Sequence, residues 1–225
     1  MKRSPISSLK PHHLRLLPAP ALSSGLQNVV DGVHKFQHKF YKKEQALFQK
    51  LAHQQHPEVV LLTCVDSRID LNHITQAKPG DILVPRNAGN IVPVFGKGFG
   101  EEASIEYAIK VLNVRDLVIM GHSDCGAMKG LLHPEQLRHL PSVSSWLTHA
   151  SEALEGLCDE QLDDDALLAL VTKRNVVVQM THLFSHPSVS EAMSRGELQV
   201  HGWFYDIESG KVSAFNPSTK CWCNL

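Results

Sequence analysis

The chain has 225 residues, 43% of them hydrophobic, and its 22 basic and 23 acidic residues give a formal net charge of −1. This length can form one large domain around its own apolar core, so folding requires no disulfide framework. The near-zero charge argues against binding to nucleic acid, which depends on neutralising phosphates. No apolar run approaches the roughly 20 residues that span a bilayer, so we also expect no membrane partner.

The N-terminal segment differs in charge from the rest. Residues 1–30 contain four basic residues and no acidic one, and this +4 leaves −5 for the remaining chain. The stretch 14–22 (LRLLPAPAL) resembles the apolar part of a signal peptide, but Arg15 and two prolines interrupt it. We therefore expect residues 1–27 to be a flexible basic arm and the protein to be cytoplasmic. Export through a weak signal peptide is the alternative.

The first half of the chain then alternates between helical and strand patterns. From Asn28, apolar residues recur at spacings of three and four, which predicts an amphipathic helix, broken once, to about His53. The apolar run 58–64 (EVVLLTC) is typical of a strand buried on both faces. A turn precedes a short strand over 82–85, and the glycine-rich segment 86–100 predicts an ordered loop over a site.

The second half continues this alternation. The patterns predict a helix over 101–112, a strand over 116–121, helices over 141–157 and 163–184, and strands over 198–207 and 211–215. Such alternation is typical of an α/β fold with a mostly parallel sheet. We predict one domain over residues 28–217, followed by a C-terminal tail over 218–225.

Two of these strands end in residues that can bind a metal. The strand over 58–64 ends at Cys64, and the strand over 116–121 leads into His122 and Cys125. Ligands of open α/β sheets bind beyond the carboxyl ends of the strands, so these three side chains would meet if the two strands are neighbours. Two thiolates and one imidazole suit zinc and leave one tetrahedral position for water.

Simpler interpretations exist for each of these residues alone. A buried cysteine is most often a small core residue, and a single loop histidine is most often held by ordinary hydrogen bonds. Cys64 and Cys125 could form a redox pair, although they lack the C-x-x-C spacing typical of that chemistry. The three residues together, with Asp66 and Arg68 close by, favour a metal site.

Asp66 and Arg68 extend this site. Alternation along a strand would point Cys64, Asp66 and Arg68 to the same side. A bidentate pair with Arg68 would fix the Asp66 carboxylate and keep it ionised. Asp66 is then suited to accept a hydrogen bond from a hydroxide on the metal and unsuited to donate a proton. An ordinary structural ion pair is the alternative.

The other cysteines carry no comparable pattern. Five cysteines cannot all pair within one chain, and their irregular spacing favours a reducing compartment. We interpret Cys158, Cys221 and Cys223 as thiols without function. His34 and His38 lie four residues apart on the predicted helix and would bind metal only incidentally.

Three motifs in order make the chain similar to a known family. The segments CVDSR (64–68), PRNAGN (85–90) and GHSDCGAM (121–128) resemble those of the β-class carbonic anhydrases, and the resemblance covers about residues 28–217. It implies one zinc ion per chain, held by Cys64, His122 and Cys125.

The resemblance also implies an activity and an architecture. Zinc hydroxide, oriented by a catalytic dyad of Asp66 and Arg68, would convert carbon dioxide reversibly to bicarbonate and a proton. The implied fold has four parallel core strands plus an edge strand, flanked by helices, with an N-terminal helical arm. Homodimers or homotetramers would form through the N-terminal helices and sheet edges.

Substrate residues follow from position in the family pattern. The carbon dioxide pocket would be lined by Gln55, Leu83, Ala88, Tyr107 and Gly126, with Tyr107 reaching it across a dimer interface. Some members close the site by moving the aspartate onto zinc, often with a tryptophan three residues before the first cysteine.

Here that position is Leu61, so we expect the open type, with Asp66 paired to Arg68. Two other functions stay open: a hydrolase of carbon disulfide or carbonyl sulfide on the same scaffold, and a non-catalytic zinc-stabilised binding protein.

Overall fold

The computed structural model describes residues 22–157 and 162–225. Most of the predicted basic arm, and Cys158, lie outside the described residues. Contacts within the chain define two compact units, one up to Gln54 and one comprising Gln55–Leu225. The predicted domain over 28–217 therefore contains a helical segment that the structure assigns to the first unit.

The first unit consists of a broken helix. Helix α1 (Ser24–Lys35) continues through a π-helical turn (Phe36–Phe40) and a short turn (Tyr41–Lys43), and α2 (Gln45–Leu51) follows the break at Glu44. The break and the approximate end were predicted, but the start at Asn28 was wrong by four residues. Ser23 caps α1 because its hydroxyl accepts a hydrogen bond from Leu26 N at 3.2 Å.

The second unit contains the sheet and the remaining helices. Its strands are β1 (Val59–Cys64), β2 (Ile82–Leu83), β3 (Arg86–Asn87), β4 (Asp116–His122), β5 (Gln199–Tyr205), β6 (Val212–Asn216) and β7 (Cys221–Asn224). Its helices are α3 (Leu71–Thr75), α4 (Phe99–Glu106), α5 (Gly126–Leu132), α6 (Pro141–Leu147), α7 (Asp164–Leu183) and α8 (Pro187–Ser194). A π-helical turn (Tyr107–Val111) extends α4, and 3-10 turns occupy Pro134–Leu137 and Thr148–Leu154.

Among the described residues, these strands form one sheet in the order β2-β1-β4-β5-β6-β7, with β3 also pairing to β1. The pairs β2·β1, β3·β1, β1·β4 and β4·β5 are parallel, whereas β6 and β7 join in antiparallel fashion. The predicted mostly parallel α/β sheet with an added edge strand is confirmed.

Strand β7 extends the sheet into the segment predicted as a tail. Trp222 packs against Phe215 and Phe204, with ring centroids 5.5 and 6.2 Å away, while Cys221 and Cys223 are exposed on either side of it. This alternation is the period-two pattern of a strand with one buried face. Only one large apolar side chain marks it, so the sequence signal was too short to recognise.

Three short helices were also not predicted, because five to eight residues span too few turns for a periodic pattern. These are α3, α5 and α8. The long helix α7 was predicted within one residue at each end, and the Asp163 carboxylate caps it by accepting from Ala166 N at 2.8 Å. No helix of the described segments is long and apolar enough to cross a membrane.

The sheet packs closely against α7. Alternate residues of β1 enter different apolar clusters, with Val60 and Leu62 on one side and Leu61 on the other. On the α7 side, a Cβ added to Gly121 would lie 2.7 Å from Val176 Cγ2 and 3.2 Å from Thr172 Cγ2. Glycine at this point in β4 therefore lets the helix approach the strand that carries His122.

We expect Gly121→Ala to lower the free energy of unfolding by about 1–3 kcal/mol, because the new methyl group overpacks a filled seam. In the double variant Gly121→Ala/Val176→Ala, the loss of free energy of unfolding should be smaller than the sum of the two single losses, by about 0.5 kcal/mol or more. Urea denaturation of the four proteins measures both quantities.

Gly100→Ala is the matched control. Its added Cβ meets no described atom within 4 Å, and the residue lies in α4, where alanine is the better helix former. A loss of stability at Gly100 equal to that at Gly121 would contradict the packing explanation.

Candidate metal centre

The parallel pairing of β1 and β4 brings the three predicted metal ligands together. Thr63 is level with Met120, so Cys64 at the end of β1 lies beside the end of β4, whose last residue is His122. Cys125 precedes α5. The donor atoms of the three residues lie within 4.8 Å of one another, and all three side chains are buried. The convergence expected from the two strand ends is confirmed.

Hydrogen bonds orient two of these ligands. His122 Nδ1 lies 2.8 Å from the Ser123 carbonyl oxygen, which can only accept, so Nδ1 carries the proton and Nε2 presents its lone pair. His122 Nε2 is buried and has no hydrogen-bond partner among the described residues. Gly89 N donates to Cys64 Sγ at 3.4 Å. An orphaned imidazole nitrogen beside two sulfurs fits a metal such as zinc.

The two thiols differ in acidity. A hydrogen bond from Cys125 lowers the pKa of Cys64, against the opposing effect of burial. The same hydrogen bond raises the pKa of Cys125, and burial raises it further. Cys64 is therefore the first of the pair to ionise. A metal ion bound by both sulfurs would displace the proton that the two thiols share.

Asp66 and Arg68 form the bidentate pair that the sequence suggested. Arg68 Nε donates to Asp66 Oδ1 at 3.0 Å and Nη2 donates to Oδ2 at 2.7 Å, while the Arg68 backbone N–H also reaches Oδ1 at 2.9 Å. These bonds, led by those of the side chain, hold the pKa of Asp66 well below its usual range. Asp66 Oδ2 lies 3.9 Å from His122 Nε2, so an ionised carboxylate faces the metal ligands.

Arg86 supports the same segment, and sequence reasoning gave it no role. Its Nε donates to the Cys64 carbonyl at 2.9 Å and its Nη2 donates to the Asp66 carbonyl at 2.8 Å. The available signal was its place in the PRNAGN motif. In the structure, Arg86 begins β3 and pairs with Thr63 of β1. Arg86 thus fixes the backbone between a metal ligand and the carboxylate.

Buried polar residues of α7 hold the glycine-containing loop, and the sequence analysis missed these too. Asn175 Nδ2 donates to Gly89 O at 2.9 Å, and Gln179 Oε1 accepts from Val92 N at 2.8 Å. His182 Nδ1 lies 2.8 Å from Val92 O. The sequence signal was their spacing of four and three residues, which places them on one face of the helix. It was overlooked because that face was expected to be apolar.

The predicted substrate residues are only partly brought together. Leu83 and Tyr107 line one cavity of about 320 Å³, whose lining includes none of Gln55, Ala88 and Gly126. The Ala88 carbonyl accepts a hydrogen bond from Trp146 Nε1 at 2.8 Å. Gln55 and Gly126 are exposed. The roles of all five residues stay predictions.

Together, the fold and the site define an α/β protein with a buried Cys-His-Cys metal site at the carboxyl ends of parallel strands. Comparison with known proteins agrees. The family model described as carbonic anhydrase matches residues 59–212. The chain is 40% identical over 202 residues to a carbonic anhydrase of Pseudomonas aeruginosa, covering 89% of this chain and 92% of the relative. It is 42% identical over 197 residues to carbonic anhydrase 1 of Escherichia coli O157:H7, covering 87% and 90%.

Solved structures give the same result. The structure of the β-carbonic anhydrase CcaA superposes with a TM-score of 0.87 at 37% identity, covering 90% of this chain and 93% of that one. One of two tetrameric β-carbonic anhydrases from Sordaria macrospora gives a TM-score of 0.79 at 27% identity, covering 90% and 100%. The chain belongs to the β-class carbonic anhydrases, a family of enzymes.

We expect Cys64→Ser and His122→Ala to bind zinc at roughly a tenth of an equivalent or less after dialysis, because each removes one of three protein ligands. Elemental analysis of the purified proteins measures the zinc content. Cys223→Ser is the matched control, since this thiol is exposed on β7. Full zinc stoichiometry in Cys64→Ser would refute the ligand assignment.

Proposed function

We propose that this chain is a zinc enzyme that catalyses the reversible hydration of carbon dioxide to bicarbonate and a proton. The observation that carries this proposal is the ionised Asp66, held by Arg68 and directed at the three converging metal ligands. A structural metal site requires the ligands but does not require a carboxylate fixed beside them.

Zinc held by Cys64, His122 and Cys125 would supply a Lewis acid that makes a water molecule more acidic and more nucleophilic. Two thiolates cancel the charge of the ion, so the acidifying effect is weaker than with three neutral histidines. We therefore expect activity to favour alkaline pH.

Asp66 serves as a hydrogen-bond acceptor in this proposal. Because the Arg68 hydrogen bonds keep its pKa low, Asp66 would accept a hydrogen bond from the reacting water and so orient the lone pair of the water oxygen toward the substrate. It does not deliver a proton. The pairing of Asp66 with Arg68 supports the open type of site. So does Leu61, which stands three residues before Cys64 where members with a closed site often have tryptophan.

Carbon dioxide is small and uncharged, so it needs an apolar surface more than a charged one. We propose that Leu83, Ala88 and Tyr107 line its pocket, together with Gln55 and the backbone of Gly126. Support comes from the apolar side chains of Leu83 and Ala88.

Assembly and compartment are part of the same proposal. The Sordaria macrospora relatives are described as tetrameric, and we propose that this chain forms a homodimer or homotetramer in which Tyr107 reaches a neighbouring site. Its 45% exposure supports this. The irregular spacing of the five cysteines supports the cytoplasm as the compartment.

Stopped-flow measurement of carbon dioxide hydration at alkaline pH, with and without a zinc chelator, tests the activity. We expect hydration far above the uncatalysed rate, lost after chelation and restored by zinc. Hydrolysis of carbonyl sulfide or carbon disulfide in place of hydration would overturn the proposal in favour of the hydrolase. Zinc binding without either activity would favour a binding protein.

Asp66→Asn tests the role of the carboxylate. We expect kcat to fall roughly 100-fold while zinc content is unchanged, since the amide keeps the shape but is a weaker, neutral acceptor. Asp70→Asn is the control, because asparagine preserves the helix cap that Asp70 provides to α3. A rate near that of the wild type would remove Asp66 from the mechanism.

A further inference from the structure

We propose that Asp124 is a positioning residue that clamps Arg68 along the guanidinium edge adjacent to the one that binds Asp66, and so keeps the Asp66 carboxylate facing the metal ligands. The contacts of Asp124 are observed in the structure, whereas their catalytic consequence rests on the proposed function. Asp124 itself touches neither the substrate nor the metal ligands' donor atoms in this proposal.

The guanidinium of Arg68 is shared between two acidic residues. Two of its hydrogen bonds go to the Asp66 carboxylate. Two others go to Asp124, from Nη1 to Oδ2 at 2.7 Å and from Nη2 to the backbone oxygen at 3.0 Å. Arg68 therefore donates along two adjacent edges of its guanidinium, which share Nη2, and two carboxylates fix the plane of the group.

The position of Asp124 links Arg68 to the metal loop. Asp124 lies between His122 and Cys125 and has a φ of +56°, in the left-handed region that aspartate and asparagine tolerate better than most residues. Because the same turn carries two metal ligands, the clamp fixes Arg68 relative to the metal site as well as to Asp66.

Lys129 holds Asp124 in turn. Its Nζ forms an ion pair with Asp124 Oδ1, leaving Oδ2 for Arg68. These ion pairs, that with Lys129 first, lower the pKa of Asp124. Asp124 is thus a fixed acceptor, although its side chain is half exposed.

Other carboxylates could draw Arg68 away from Asp66. Arg68 and Asp124 line a cavity of about 540 Å³ together with Asp165 and Asp206. The Arg68 side chain is 42% exposed, so burial alone does not fix its direction. Asp124 occupies two of the Arg68 hydrogen bonds, and removing its charge would leave Arg68 free to turn toward Asp165 or Asp206.

The experiment is Asp124→Asn, which keeps the side-chain shape, the left-handed conformation and the backbone oxygen. Phenylglyoxal modification followed by peptide mass spectrometry measures the reactivity of Arg68, with the exposed Arg138 as internal standard. We expect Arg68 to react about 3-fold faster or more, because a guanidinium released from a carboxylate is more available. We also expect kcat to fall about 3- to 10-fold at unchanged KM and zinc content, since positioning is altered but substrate contacts are not.

One control variant isolates the contact. Asp165→Asn removes a carboxylate that lines the same cavity but forms no ion pair with Arg68 among the described residues, so Arg68 reactivity and kcat should stay within about twofold of the wild type. Unchanged Arg68 reactivity in Asp124→Asn, or an equal effect in Asp165→Asn, would overturn the clamp. A wild-type protein without hydration activity would overturn the proposed function alone, because the reactivity of Arg68 is measured independently.

Discussion

The parallel pairing of β1 with β4 is the constraint on which the site depends. Hydrogen bonds between the two strands place Thr63 level with Met120, so both strands end on the same side of the sheet. Cys64, His122 and Cys125 therefore lie close together there. A slip of one residue would turn the ligands to the other face of the sheet. The apolar clusters on both faces, together with Gly121 against Val176, fix this register.

Charge at the site is balanced in small, closely spaced pairs. The chain contributes two thiols, an imidazole, a carboxylate and a guanidinium within one short region. Arg68 neutralises Asp66, and Arg86 binds the backbone carbonyls of Cys64 and Asp66. The carboxylate that faces the metal ligands is therefore paired with a cation and attached to a fixed backbone.

The sequence predicted the fold class, the positions of the main strands along the chain and the convergence of Cys64, His122 and Cys125, because these depend on local patterns and on one rule about strand ends. It did not predict β7 or the three short helices, whose patterns span too few residues. The Arg86 and α7 contacts to the backbone were also missed. Such bonds connect residues 20 to 90 positions apart in the chain. A polar side chain within an apolar pattern does not indicate which distant backbone group it will bind.

The Gly89 peptide connects the core of α7 to a predicted metal ligand. Its N–H donates to Cys64 Sγ, its carbonyl accepts from the fully buried Asn175, and its φ of +83° suits glycine. One peptide group therefore couples the buried face of the helix to the Cys64 thiol. A substitution of Asn175 would alter the surroundings of that thiol, although the two residues lie far apart in the chain.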